Sequence, residues 1–195
     1  MRVFRHILPA AACLALTACF GGSSAPDSLL TLTPQAPPTA NLARAGSTAE
    51  AVIFEAPVVG EELSQVRVPA YESPTAVTYI QGVQWVDRPN RMFQQLLTET
   101  AKRTTSRVVL DPRQVGLNAG LQVTGTLERF GYDAPSRQVV VIYDAALTRV
   151  GGGGQVETRR FQASAPADGT AATVGPALNQ AANQVALQVA QWIGG

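Results

Sequence analysis

Histidine occurs once in the 195 residues, at position 6, and cysteine twice, at positions 13 and 19. Lysine also occurs once, as Lys102. Charged residues make up 15% of the chain, with 15 cationic against 14 acidic. No basic run stands out, so the electrostatic footprint of a nucleic-acid binder is missing. Long apolar runs are missing too. Residues 7–18 form a shorter apolar run, well below the roughly 20 residues that cross a bilayer.

That short run has the order of a secretion signal. A cationic start, Met1-Arg-Val-Phe-Arg5, precedes it, and Leu16-Thr17-Ala18-Cys19 ends it. Small residues before a cysteine form a lipobox, where a signal peptidase cuts and the cysteine thiol accepts diacylglycerol. Residues 1–18 are therefore read as a lipoprotein signal peptide, and Cys19 as the lipidated first residue of the mature chain. Several acyl chains, at about 0.8 kcal/mol per buried CH₂, make such an anchor close to permanent. Phe20 stands where an Asp would mark inner-membrane retention, which points to the outer membrane, with the domain facing the periplasm.

The leader would take His6 and Cys13 with it. The mature chain then has no histidine and no thiol beyond the anchor, so it lacks the usual Ser/His/Asp and Cys/His arrangements and the common zinc sites. No disulfide partner remains for Cys19, so stability must come from a core. Removing Arg2 and Arg5 leaves 13 basic residues against 14 acidic. Gly151 to Gly154 lack the Lys and Ser/Thr of a phosphate loop and suit a hairpin turn. Lys102, beside Arg103, reads as a solvent charge. Glu61-Glu62 and Asp87/Asp111 are the acid pairs available for acid–base work, but acidic residues at loop starts are by default caps or surface charges. No catalytic residue, metal site or cofactor is expected.

Residues 19–50 are rich in Pro, Gly, Ser and Thr. Pro26, Pro34, Pro37 and Pro38 exclude a long helix. This stretch is read as the lipidated N-terminus and a flexible tether, reaching on the order of 30 Å, with a possible first strand at 28–33. From residue 51 to 195 the texture is that of a folded domain. Branched and aromatic residues predict strands at 51–54, 66–69, 76–85 and 107–110. Asp87 is placed to cap a helix with Pro89 in its first turn, and Met92, Phe93, Leu96, Leu97 and Ala101 give it helical spacing. Residues 121–130, 138–148 and 155–165 predict an antiparallel three-strand meander, turning at 133–136 and at the four glycines. Val139-Val-Val-Ile-Tyr143 is apolar on both faces and predicts a central strand covered on both sides. Glu157, Arg159 and Arg160 suit an exposed edge. Pro176 is read as the start of a long final helix with the stripe Val174, Leu178, Ala181, Val185, Val189 and Trp192. Its other face carries Asn179, Gln180, Asn183, Gln184, Gln188 and Gln191, either a solvated face or an amide-rich docking surface.

Several blocks resemble the ABC-type transport auxiliary lipoprotein family, which includes the paraquat-inducible protein C type. Leu30-Thr-Leu-Thr-Pro34 is similar to its opening Leu-x-Pro. Trp85-Val-Asp-Arg-Pro89 resembles its Trp-led block before a helix. Leu121-Gln-Val-Thr-Gly-Thr-Leu-Glu-Arg-Phe130, then Thr158-Arg-Arg-Phe161, then the Ala-rich run from Ala177 to Trp192 resemble its later strands and final helix. The resemblance implies a mixed α/β fold, with the meander flanked by amphipathic helices, similar to the TolB N-terminal domain. It also implies a lipid-transport partner set: a periplasmic MCE-domain protein with an ABC permease and ATPase. No nucleic-acid partner is implied. A structural or assembly lipoprotein of the envelope without lipid cargo is the alternative. Trp85, Asp87 and Arg88 are the candidate partner contact, since aromatic and Arg residues dominate binding energy once covered. Sheet packing and helix capping are their competing roles.

Overall fold

The computed structural model describes residues 29–37, 44–112, 119–150 and 154–194. Cys19 lies outside these residues, as do Ser28 and Gly151 to Gly153.

Eight strands and two helices follow one another as β1 (Val52–Phe54), β2 (Val58–Val59), β3 (Arg67–Ser73), β4 (Ala76–Gln84), α1 (Pro89–Thr104), β5 (Val109–Leu110), β6 (Leu121–Asp133), β7 (Gln138–Arg149), β8 (Val156–Pro166) and α2 (Ala171–Gly194). All eight strands join one mixed sheet, an α/β arrangement. The expected meander is β6-β7-β8, antiparallel throughout. On its other side β6 pairs in parallel with β1, β2 and β3 in turn, and β4 closes that margin against β3. β8 is the opposite margin, paired only with β7.

A one-residue irregularity in β6 reconciles its two halves. Leu127 pairs with Tyr143 and Arg129 with Ile142, so Glu128 is an extra residue. Leu121, Val123 and Leu127 are buried before it, Phe130 and Tyr132 after it. The bulge thus switches which parity of side chains faces the core.

β7 is central, as expected, but it is not covered on both sides. Val139, Val141, Tyr143, Ala145 and Leu147 are buried, while the alternate residues are only half-buried. Both helices join one core cluster with the buried face. Phe93 of α1 meets Tyr143 edge-on at 5.3 Å. Val140 and Ile142 suit a strand by their branched shape, and that preference holds whichever way they face.

Two helix starts differ from expectation. Arg88, not Asp87, is the N-cap of α1, and it makes no side-chain cap bond. Asp87 instead accepts the Arg88 N–H at 2.7 Å. Pro89 does stand in the first turn, where its missing N–H costs nothing. α2 begins at Ala171, before Pro176, which lies inside it. The cause is the preceding turn. The Thr170 carbonyl accepts the Val174 N–H at 3.0 Å. Asp168 accepts the Thr170 N–H at 2.9 Å and the hydroxyls of Thr170 and Thr173. This side-chain knot starts the helix early and leaves Pro176 to be absorbed near its N-terminal end.

Residues 29–37, read as tether, lie along the domain. Leu30 forms an isolated parallel bridge with Trp85, all that stands of the strand expected at 28–33 among the described residues. Leu30 and Leu32 pack on the core. Asn179 accepts the Thr33 N–H at 2.8 Å and Asn183 accepts that of Gln35 at 2.7 Å. Arg103 donates to the Ala36 carbonyl at 2.9 Å. Gly175 permits this approach: a Cβ there would stand 2.8 Å from Leu30 Cδ2.

Candidate functional site

The Trp85 corner separates into a core residue and two accessible ones. Trp85 is 1% exposed. Its ring lies 5.5 Å from that of Phe130, tilted by 47°. Its indole N–H is buried and meets no acceptor among the described residues. A side chain so enclosed cannot meet a partner, so the contact expected of Trp85 is corrected to packing. The last residue of β4 runs straight into it, and strand alternation turns it inward beside Val83. Two residues on, Asp87 is half-buried, and Arg88 after it is exposed.

Asp87 lines a groove of about 660 Å³ between α1 and the chain leaving β1 and β5. Glu55, Arg91, Glu99, Lys102 and Asp111 supply its other charges. Helical spacing sets Arg91, Gln94, Thr98 and Lys102 on one wall, since residues three and four apart share a face. Gln94 is held there by donating to the Phe54 carbonyl at 3.0 Å, and Asn90, just outside the groove, donates to that of Pro57 at 3.3 Å. Lys102 pairs with Glu99 at 3.1 Å, so it has a helix neighbour as well as solvent. Asp87 and Asp111 do reach one groove, but Glu61 and Glu62 lie elsewhere, in a short turn of 3-10 helix after β2. Among the described residues no three His, Cys, Asp or Glu side chains gather as a metal site. The groove offers hydrogen bonds and both signs of charge, suited to holding a polar surface.

A second concavity, of about 310 Å³, opens between β8 and the end of α2. Trp192 packs on Phe161 at 5.4 Å, the rings tilted by 55°, and donates its indole N–H to Glu157 at 2.6 Å. Arg160 holds Asp144 with two bonds of 2.6 Å, and those bonds keep the Asp144 carboxyl below its ordinary range. Reading Trp192 only as the end of an apolar stripe missed this partner. Glu157 was read only as part of an exposed edge, and no local signal pairs the two. The amide face of α2 also divides. Asn179 and Asn183 bind the N-terminal segment, Gln188 donates to the Gln162 carbonyl at 3.5 Å, and Gln180, Gln184 and Gln191 are exposed.

Two buried tyrosines are poor acids. Burial, helped by nearby Glu62, pushes Tyr71 up to about 12, although Arg129 sits 4.5 Å over its ring. Burial also raises Tyr143, whose hydroxyl donates to the Thr124 carbonyl at 3.0 Å. Neither supplies a proton carrier at neutral pH. No helix among the described residues is long and apolar enough to cross a membrane.

Comparison with known proteins covers most of this fold. The family model described as the ABC-type transport auxiliary lipoprotein component matches residues 30–190. A crystal structure of a Xanthomonas campestris protein of family DUF330 superposes with a TM-score of 0.71 at 17% identity, covering 86% of this chain and 94% of that one. A second solved structure, of an uncharacterized protein, gives 0.62 at 15% identity over 85% and 99%. Both show the same mixed fold. None of the curated proteins compared matches the chain.

Proposed function

Given that the chain belongs to the family of ABC-type transport auxiliary lipoprotein components, we propose that it is the outer-membrane lipoprotein of an MCE-type phospholipid transport system. It works without catalysis, by docking. Cys19 carries the lipid anchor, and the domain faces the periplasm. Its partners are a periplasmic MCE-domain protein and, through it, the ABC permease and ATPase. The observation that carries this reading is the family match over residues 30–190, nearly the whole described fold, behind a lipobox at Leu16 to Cys19. The α1 groove supports docking over chemistry: it holds six charged residues and no histidine or thiol. Asp87 at its wall and Arg88 beside it are the proposed contact.

Co-purification of the full lipidated chain from membranes tests this. Wild type is expected to retain the MCE-domain protein, and Arg88→Glu to lose it while still fractionating with the outer membrane. Retention by a normally folded Arg88→Glu variant removes this contact. Absence of any MCE-domain protein with wild type sinks the transport reading and leaves an envelope lipoprotein without cargo.

A further inference from the structure

The two margins of the sheet are not alike. β4 pairs with β3 through two register shifts, and the Leu30 segment covers its end. Both features guard an edge. β8 pairs with β7 residue for residue, without a shift, and has no second neighbour among the described residues. A regular, uncovered edge is a template for another strand.

Hydrogen bonds at its two ends fix which backbone groups this edge offers. The Arg149 N–H donates to the Gln155 carbonyl at 3.2 Å, and the Ala167 N–H to the Arg137 carbonyl at 3.3 Å. Odd-numbered residues of β8 therefore turn their N–H and C=O toward β7, and even-numbered ones turn theirs outward. Gln188 of α2 takes the outward carbonyl of Gln162 at 3.5 Å. The run left open is Val156, Thr158 and Arg160.

Charge selects what fits there. Glu157 and Arg159 stand two residues apart on the face turned to α2, where Trp192 bonds Glu157 and Arg159 lies over the Phe161 ring. Neither has an ion-pair partner among the described residues, whereas Arg160, on the other face, holds Asp144. An acid and a base so spaced are self-complementary in an antiparallel pair. With a two-fold axis at Thr158, Glu157 opposes Arg159 of a second copy, and Arg159 opposes its Glu157. The two Thr158 residues exchange N–H···O=C bonds, and Val156 opposes the other Arg160. Centring the pair on Glu157, Arg159 or Arg160 would set like charges face to face.

α2 suits the same arrangement. Its 24 residues include no charged side chain. Gln184, Leu187, Gln188 and Gln191 are exposed, and Gln188 and Gln191 look onto β8. A face without charge loses no ionic hydration when covered. α2 packs over β7 and β8. With strands about 4.8 Å apart, two such helices on either side of the axis would run roughly 10 Å apart, an ordinary helix-packing distance.

We propose that two copies of this chain join through β8, antiparallel about a two-fold axis at Thr158, so that one sheet runs on into the other. The proposal goes beyond the transport reading and depends on neither its partners nor the Asp87 and Arg88 contact.

The experiment cross-links the full chain in its membranes with a short bis-maleimide, and wild type, with no added cysteine, is the blank. Thr158→Cys places a thiol at the axis, where paired Cα atoms stand about 5.5 Å apart. Val77→Cys places one on β4, where the side chain is 44% exposed. The product at 158 is expected to be a dimer of this chain, formed several-fold more than any product at 77. Adding Arg159→Glu to Thr158→Cys is expected to abolish the dimer. Adding Glu157→Arg as well is expected to restore it, because the reversed charges again meet across the axis. Equal yields at 158 and 77, or none at 158, overturn the proposal. So does a 158 dimer that survives Arg159→Glu, or one that stays lost when both charges are reversed. A 158 product holding a different protein in place of the second copy overturns the occupant, and β8 then takes a partner's strand.

Discussion

Asn183 on α2 donates its side-chain amide to the Thr33 carbonyl at 2.9 Å, across 150 positions of sequence. The same side chain accepts the Gln35 N–H at 2.7 Å, and it is 7% exposed. One amide therefore replaces the strand partners that an extended segment otherwise needs. Asn183→Ala leaves the Gln35 donor and the Thr33 acceptor without that partner. The expected loss is about 1–3 kcal/mol of unfolding free energy. Urea unfolding measures it, and amide exchange locates it: Gln35 should exchange faster in the variant while β7 amides keep their wild-type order. Unchanged exchange at Gln35 would show that the segment is held by its leucines alone.

Trp85 tests the correction from contact to core. Trp85→Ala removes a fully buried ring packed on Phe130. The expected cost is about 3–5 kcal/mol. A surface contact would instead leave the melting curve unchanged and weaken partner retention. Fluorescence separates the two tryptophans, because Trp192 keeps a polar partner in Glu157 whereas Trp85 is enclosed. Trp85→Phe should remove the bluer component of the emission spectrum.

Leu178 lies at the centre of the α2 stripe and is fully buried. Leu178→Ala should cost about 2–5 kcal/mol, depending on how far the site collapses. Val185→Asp places a charge with no partner into the same core and should prevent folding at ordinary temperature. A stable Val185→Asp protein would show that α2 does not pack as described.

Periodicity reached the parts of this fold that depend on burial. The stripe through Leu178 and Val185, the spacing of Phe93 and Leu97, and the three runs of the meander each follow from side chains having to face one core. What it missed depends on single polar atoms or on distant partners. Nothing local distinguishes Asn183 from Gln184, yet one binds the N-terminal segment and the other is exposed. Pro176 suggested a helix start because proline favours first turns. The knot of Asp168, Thr170 and Thr173 outweighed it by capping the chain earlier. Trp85 and Arg88 are three residues apart and looked like one surface, but a strand end buries the first and a helix start exposes the second. The groove along α1 was legible only as Asp87, since Glu55 and Asp111 join it through sheet pairing of β1 with β5.

The knot before α2 also makes an acid-side prediction. Hydrogen bonds from the Thr173 and Thr170 hydroxyls, then from the Thr170 N–H, bring the Asp168 carboxyl down from 3.8 to about 2. Its folded pKa lies below its unfolded value, so the ionised form favours folding. That contribution is complete above about pH 4 and fades as pH falls toward 2. Asp133, bonded by Ser136, and Asp144, bonded by Arg160, are shifted in the same direction and steepen the same limb. Asp168→Ala should therefore be less stable than wild type at neutral pH. The two unfolding free energies should then converge as pH drops from about 4 to about 2, since protonation removes from wild type what the substitution removed already. Urea unfolding at a series of pH values measures the convergence. A difference that stays constant through this range would mean that the carboxylate charge is not what secures the start of α2.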